Sequence, residues 1–221
     1  MKELPELLDD EIINRAKKLN STLLSDAMGC TGSMDYQIKP VSRGLSVVGT
    51  AMTVSLRPGD NLFLHQAIYS GEKGYVLIAD GKGHLENAYL GELMAAAAKA
   101  IGLEGIIIDG LVRDKATLED MGYPIFCKGF IPNGPLKDGP GTLNTTVSCG
   151  GAVVRPGDLI VGDDDGVVVV PKDLIYDALE KAEKKLAYEE KRIETIANYP
   201  SNGASLAPPW LKEKIGLFVK N

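Results

Sequence analysis

Glu92, Arg113 and Asp114 are the residues of this chain whose types and spacing suit anion and metal chemistry. A guanidinium holds a planar anion through two parallel N–H donors. The carboxylate beside it offers oxygen to a hard cation such as Mg2+, which keeps several of its own waters. Gly91-Glu92-Leu93-Met94 reads as the opening of a helix. The first N–H groups of a helix have no intrahelical partner, and its dipole end favours negative charge. Asp80 and Asp109 each follow an apolar run, where they either join such a site or cap the turn after a strand. An adjacent Arg-Asp pair alone is most often a pair of surface charges. The case therefore rests on whether the chain brings these groups together.

The surrounding pattern predicts that it does. Tyr75–Ala79 and Gly105–Asp109 are apolar runs of the kind that form strands buried on both faces. Between them, the alanine-rich stretch Gly91–Ile101 reads as a helix closed by Gly102. In a right-handed βαβ crossover the helix begins at the carboxyl edge of its strands, where open α/β sheets bind ligands. Asp80, Gly91–Met94 and Gly110–Asp114 all fall at that edge, with Asp80-Gly81-Lys82-Gly83 expected to leave the first strand as a polar loop. A short helix over Lys115–Met121 and a third strand at Pro124–Cys127 continue the alternation.

Further elements are legible on both sides. The spacing predicts a helix over the first twenty residues, a short one through Ser25–Met28, a strand at Val47–Val54, a turn at Arg57–Asp60 and a helix over Leu62–Tyr69. After a long loop at Gly129–Thr142, short strands joined by tight turns fill Val147–Val170, partly antiparallel, and a long helix runs from Lys172 to Asn198. In that helix Leu179, Leu186 and Ile193 repeat at seven, which suits either packing within the domain or a subunit contact. The expectation is one α/β domain with βαβ crossovers and a mixed sheet over residues 1–200, followed by a tail, 201–221. The stretch from Pro200 to Trp210 reads as irregular and docked.

Composition excludes other classes. The 221 residues carry a net charge of −6, which argues against a nucleic-acid partner bound through its phosphates. No run of eighteen apolar residues and no signal-peptide core are found, so a cytoplasmic chain with no membrane partner is expected. The three cysteines lie far apart, without a partner histidine or zinc spacing. Asp163-Asp164-Asp165-Gly166 lacks the alternation of a calcium loop and reads as a turn. Of the two histidines, His65 reads as an interior residue of a helix and His84, beside the glycine loop, as the better candidate for function. Lys82, Lys115 and Lys128 lie near the proposed edge, but none sits in the apolar strand that an imine-forming lysine requires.

Through Gly49-Thr50-Ala51, Pro58-Gly59-Asp60-Asn61, Asp80-Gly81, Leu90-Gly91-Glu92, Asp109–Asp114 and Pro156–Val167, the chain resembles the RraA-like family over about Ser21–Val170. That family includes 4-hydroxy-4-methyl-2-oxoglutarate/4-carboxy-4-hydroxy-2-oxoadipate aldolases and proteins named regulator of ribonuclease activity A. Its most specific mark is an acidic residue, twenty intervening residues, then Arg-Asp, here Glu92 and Arg113-Asp114. The usual first residue is aspartate, and Thr117 stands where some members carry a further acid. These departures bear on the substrate more than on the chemistry. The resemblance implies an α-β-β-α layered fold and a divalent-metal-dependent aldolase that releases pyruvate from a 4-hydroxy-2-oxo acid. Oxaloacetate decarboxylation would follow through the same enolate. It further implies trimers or pairs of trimers with sites near subunit boundaries. Asp114 would hold Mg2+ or Mn2+, partly through waters, and Glu92 would position a water as base. Arg113 and the N–H groups of Gly91, Glu92, Leu93 and Met94 would bind the pyruvyl oxygens of a small 2-keto acid. The alternatives are a non-catalytic, protein-binding ring that regulates a ribonuclease, and a related lyase acting on another 2-keto acid.

Overall fold

The computed structural model describes residues 3–199 and 205–218. From the amino end, α1 (Asp10–Ala16) and α2 (Ser21–Ala27) precede β1 (Lys39–Pro40), β2 (Val47–Leu56) and α3 (Leu62–Tyr69). The centre of the chain is β3 (Tyr75–Leu90), α4 (Glu92–Ile101), β4 (Gly105–Val112), α5 (Lys115–Met121) and β5 (Ile125–Cys127). Short strands follow: β6 (Gly129–Phe130), β7 (Gly141–Leu143), β8 (Val147–Cys149), β9 (Ala152–Val154), β10 (Leu159–Asp163) and β11 (Gly166–Val170). The last elements are α6 (Ile175–Ala197) and α7 (Pro209–Gly216). The chain divides into two compact units, residues 1–182 and 183–221. Every residue of the predicted site belongs to the first.

The principal sheet runs β1-β5-β4-β3-β2-β10-β11, with β6 beside β4 and β7 beside β2. The pairs β2–β3, β3–β4 and β4–β5 are parallel, and the helices α3, α4 and α5 connect them in turn. The pairs β1–β5, β2–β7, β2–β10 and β10–β11 are antiparallel. This is the expected division into crossovers and tight turns, and it makes the sheet mixed. Lys39 of one edge strand donates to the carbonyl of Asp165 at the turn after β10, so the sheet nearly closes on itself.

Both faces of the central strands are apolar because both are covered. On one face Met52, Val54, Leu77, Ile106 and Ile108 pack with Leu64 and Ile68 of α3 and Ala95 and Ala98 of α4. On the other, Ala51, Val76, Ile78 and Ile107 pack with Phe126, with Val147 and Val154 of the β8–β9 hairpin, and with Val169. α4 is alanine-rich because it lies close on the sheet. It ends at Gly102 in the left-handed conformation (φ 95°), where the N–H groups of Gly102 and Leu103 both reach the carbonyl of Ala98.

Several elements differ from the sequence expectation. α1 occupies seven residues rather than most of the first twenty. The seam of α6 buries Ile175, Ala178, Leu179 and Ala182, whereas Ile193 and Ile196 are 66% and 50% exposed. In the tail, Pro209 opens α7 at its first turn, where a missing N–H costs nothing. Residues 200–204 of the expected docked segment lie outside the described residues.

The most consequential difference is in β3. The expected polar loop at Asp80–Gly83 does not end the strand; pairing resumes across three register shifts, with His84 opposite Gly110, Ala88 opposite Leu111 and Leu90 opposite Val112. Tyr89 stitches this irregular stretch. Its ring is fully buried against Gly81 and Gly110, where an added Cβ would stand 2.7 and 2.6 Å from ring carbons. Its hydroxyl donates to the Gly81 carbonyl (2.7 Å) and accepts from the Gly59 N–H (3.0 Å). Tyr89→Phe leaves both partners buried and unmatched, so a loss of about 1–3 kcal/mol is expected, read as a lower denaturant midpoint at unchanged slope.

Candidate active site

Since Leu90 ends β3 opposite Val112 at the end of β4, the residues that follow emerge side by side. The Arg113 N–H donates to the Leu90 carbonyl at 2.9 Å, and Gly91 then opens α4. Asp114 takes the left-handed conformation (φ 63°) at the head of α5 and accepts a bond from the Leu118 N–H at 3.0 Å. Short polar side chains tolerate this conformation better than others do. It turns the Asp114 carboxylate back toward α4, where Oδ2 accepts from the Glu92 N–H at 3.0 Å. The helix is therefore capped by the neighbouring strand end rather than by its own first residue, Gly91, which has no side chain to offer.

Gly91, Glu92, Leu93, Met94, Arg113 and Asp114 all line one pocket of about 410 Å³. The geometry adds a detail to the expected anion nest. The Glu92 N–H is already taken by Asp114, which leaves those of Leu93 and Met94 without intrahelical partners. The Arg113 Nε lies 3.9 Å from Asp114 Oδ2, with the two side chains 46% and 42% exposed. At that distance and exposure the pair is weak, and the guanidinium keeps its capacity to bind an anion.

Three further residues of this pocket carry chemistry and were not assigned by the sequence reading: Asn61, His65 and Lys137. Asn61 is 3% exposed; its Nδ2 donates to the Tyr89 carbonyl (2.8 Å), while Oδ1 is buried with no hydrogen-bond partner. A buried orphan acceptor in a pocket wall is a place for a ligand donor. His65 is half-buried and stacks on Tyr69. Burial first, and the charge of Lys137 second, hold its imidazole pKa below the ordinary value, so it is neutral at pH 7. The expectation of an interior His65 thus gives way to a pocket-wall residue. His84, the preferred histidine, is instead spent on Asn87 Oδ1 (3.0 Å) and on the edge of the Tyr89 ring, and it does not line this pocket.

The remaining candidates are accounted for structurally. Lys128 lies 2.8 Å from Asp109 Oδ1 and 3.1 Å from Asp35 Oδ2. Asp109 Oδ1 makes no hydrogen bond of good geometry, so charge pairing alone satisfies it. Burial pulls the Lys128 pKa down, but the two carboxylates outweigh it and raise it, so the ammonium stays charged and unfit for imine formation. Lys82 contacts Asp80, and Lys115 pairs with Glu119 at 3.6 Å and lies over Phe130. Burial pushes the Cys127 thiol up to about 11 and that of Cys149 well above its usual value, so neither is a thiolate. Asp163 and Asp164 serve the β10–β11 turn: Asp163 accepts from Ser21, and Asp164 accepts from the Gly44 N–H.

A divalent cation has a defined place to be tested. Among the described residues no group of three or more His, Cys, Asp or Glu side chains is arranged to hold a metal. Asp114 has one carboxylate oxygen engaged by Glu92 and the other without a partner, and Glu92 adjoins it in the pocket. One or two carboxylates with the remaining positions left to water and substrate is the donor set of Mg2+. The residues fit that ion.

Comparisons with known proteins agree with this architecture. The family profile described as RraA-like, Aldolase/RraA, matches residues 21–169. A protein of Halalkalibacterium halodurans, provisionally named a 4-hydroxy-4-methyl-2-oxoglutarate aldolase, is 38% identical over 188 residues, 85% of this chain and 90% of that protein. Among solved structures, an uncharacterized protein from Pseudomonas syringae pv. tomato superposes with a TM-score of 0.77 at 27% identity, over 91% of this chain and 97% of that one. Streptomyces coelicolor RraAS2, described as an unusual member of the RNase ES inhibitor RraA protein family, gives 0.75 at 26% identity over 84% and 98%. By its matched residues and its fold, the chain belongs to the RraA-like family.

Proposed function

We propose that this protein is a Mg2+-dependent aldolase that cleaves a 4-hydroxy-2-oxo acid and releases pyruvate, and that it decarboxylates oxaloacetate at the same site. The observation that carries the reading is the meeting of Arg113, Asp114 and the opening of α4 in one pocket. The aldolase name of the relative that is 38% identical supports the reaction class.

The chain's own residues have these roles. The Arg113 guanidinium and the N–H groups of Leu93 and Met94 bind the carboxylate and keto oxygens of the pyruvyl end. Asp114 and Glu92 are the residues that would hold the cation, which when bound supplies Lewis-acid stabilisation of negative charge on those oxygens. The C4 hydroxyl proton passes to a water held by Glu92, the C3–C4 bond breaks, C4 becomes a carbonyl, and the electron pair is left on the pyruvate enolate. Arg113 offsets the enolate charge. Return of a proton to C3 gives pyruvate. Loss of CO2 from oxaloacetate leaves the same enolate, so the same groups serve both reactions.

The test is pyruvate formation from 4-hydroxy-4-methyl-2-oxoglutarate and from oxaloacetate, each with Mg2+ and with EDTA. Turnover of both is expected with Mg2+, together with its loss in EDTA and recovery on adding Mg2+ back. Asp114→Ala should lose both activities in parallel; loss of one alone contradicts a shared site. Absence of turnover at high protein concentration favours a regulatory binding protein instead. Full activity in EDTA, with inactivation by borohydride in the presence of substrate, points to a lysine imine.

A further inference from the structure

We propose that Asn87, oriented by His84, is a positioning residue. It fixes the loop whose Gly134 backbone lies against the tip of the Arg113 guanidinium, and so keeps that guanidinium turned into the substrate pocket. The inference rests on the functional reading above.

The need for such a device comes from Arg113 itself. The strand ends place its backbone beside Gly91, but the charged end of the side chain lies several bonds farther out. Its one ion pair among the described residues, with Asp114, is long and half-exposed. Arg113 also borders a second pocket of about 330 Å³, whose wall includes Phe130, Ile131 and Pro132. A long side chain between two pockets samples both unless packing restricts its rotamers. Two glycines supply the packing. A Cβ on Gly91 would stand 3.0 Å from Cγ and 3.2 Å from Nε of Arg113, and one on Gly134 would stand 3.2 Å from Nη1. Gly91 thus confines the stem and Gly134 the tip. Gly91 belongs to a strand end, whereas Gly134 sits in the loop between β6 and β7 and has to be held in place by other groups.

The holding groups lie in the irregular part of β3. Asn87 Nδ2 donates to the Gly134 carbonyl at 2.7 Å. Just before it in the loop, the Ile131 N–H donates to the Val112 carbonyl (3.0 Å) and the Asn133 carbonyl accepts from the Ala88 N–H (2.9 Å). Asn133 Nδ2 donates to the Glu86 carbonyl (3.0 Å). Among these bonds only that of Asn87 reaches Gly134 itself. A carbonyl can only accept, so Asn87 presents Nδ2 to Gly134 and Oδ1 on its other side. There His84 Nε2 lies 3.0 Å away and, facing an acceptor, carries the hydrogen. A Cβ on Gly59 would stand 3.0 Å from Asn87 Oδ1 and 3.1 Å from His84 Nε2, so the turn before α3 closes the pair in from outside. His84 therefore settles which way the amide points. Without it the amide can turn over and set an oxygen against the Gly134 oxygen, and the loop loses its tie. The histidine that does not reach the pocket thereby acts on it through two intermediates, the Asn87 amide and the Gly134 backbone.

The full-length, Mg2+-loaded protein tests this with a double-mutant cycle. Asn87→Ala should lower kcat/KM for pyruvate release from 4-hydroxy-4-methyl-2-oxoglutarate by about 10- to 100-fold, the cost of a binding group displaced by about 1 Å. Added to Arg113→Ala it should cost almost nothing more, because the group that it positions is gone. His84→Ala should behave as Asn87→Ala does. His84→Gln, whose amide can still donate to Asn87, should recover most of the loss. Gly134→Ala leaves these hydrogen bonds in place and brings a methyl group against Nη1 alone. It too should lose activity in the parent and not in the Arg113→Ala background, which keeps the test decisive if a denaturant melt shows Asn87→Ala to be unfolded. Arginine modification by phenylglyoxal, mapped by peptide mass, supplies a readout free of turnover. Arg113 should react faster in Asn87→Ala and His84→Ala than in the parent, and at the parental rate in His84→Gln. The exposed Arg43 should react alike in all of them. Equal losses with and without Arg113, no loss at all, or unchanged labelling of Arg113 overturns the inference while pyruvate release still supports the aldolase. If the parent turns over no substrate, the aldolase reading fails and labelling decides the positioning alone: faster reaction of Arg113, restored to the parental rate by His84→Gln, sustains it, and any other pattern overturns it.

Discussion

Arg113→Ala is expected to lower kcat/KM for pyruvate release by about 10²- to 10³-fold, the usual cost of removing a fixed donor from a developing oxyanion. The melting temperature should stay where it is. Among the described residues this guanidinium pairs with Asp114 alone, at 3.9 Å between half-exposed side chains, and such pairs add little to stability. Arg113→Lys should recover only part of the loss, since an ammonium keeps the charge but not the planar fork. Steady-state kinetics with a parallel thermal melt decide the matter. An alanine variant with parental kcat/KM would remove Arg113 from the mechanism.

Gly91→Ala is expected to be nearly as damaging, although it adds a single methyl group. The Gly91 backbone, at φ −143° and ψ −167°, is one that alanine adopts freely. The obstacle is space. A Cβ there would stand 2.3 Å from Asp114 Oδ2 and 3.0 Å from Arg113 Cγ. The carboxylate must swing away, the Glu92 N–H loses its acceptor, and both groups of the Arg-Asp pair are displaced together. Displacement of this order costs about 100-fold in rate. The lost helix cap costs about 0.5–2 kcal/mol of stability. Kinetics, Mg2+ affinity and a denaturant melt on one preparation separate the two effects. Unaltered kinetics would mean that the Asp114–Glu92 contact has no part in catalysis.

Much of this arrangement is legible in the sequence. α3 and α5 have the predicted limits, because sharp signals bound them: the Arg57–Asp60 turn before one, and the Arg-Asp pair and Gly122 at the two ends of the other. The buried strands at Tyr75 and Gly105 were visible as apolar runs. The continuation of β3 was not, because Asp80–Asn87 is polar and glycine-bearing, and what keeps it in the sheet is backbone pairing with β4 and the side chain of Tyr89. Of the site, Gly91–Met94, Arg113 and Asp114 follow from crossover geometry and from one pair of motifs. Asn61, His65 and Lys137 do not. His65 lies on a helix with an apolar pattern, which hides its one wet side, and Lys137 reaches the pocket only through a buried aspartate that binds backbone far away in sequence. Asn61 belongs to the Pro58-Gly59-Asp60-Asn61 motif, which shows its type but not its orphaned oxygen.

The register shift in β3 has a bearing on how such a protein can change in descent. The stretch from Asp80 to Asn87 already carries more residues than β4 sets against it, and the mismatch is discharged before Leu90 meets Val112. Residues gained or lost within the bulge alter its contour while the strand ends stay together, because only those last pairs place α4 against the Arg-Asp pair. The same change between Leu90 and Glu92 has nowhere to go. The chain therefore has one segment whose length the pairing does not fix and, a few residues on, one whose length it does. The irregular middle of β3 can be remodelled without the backbones of the reacting groups moving apart.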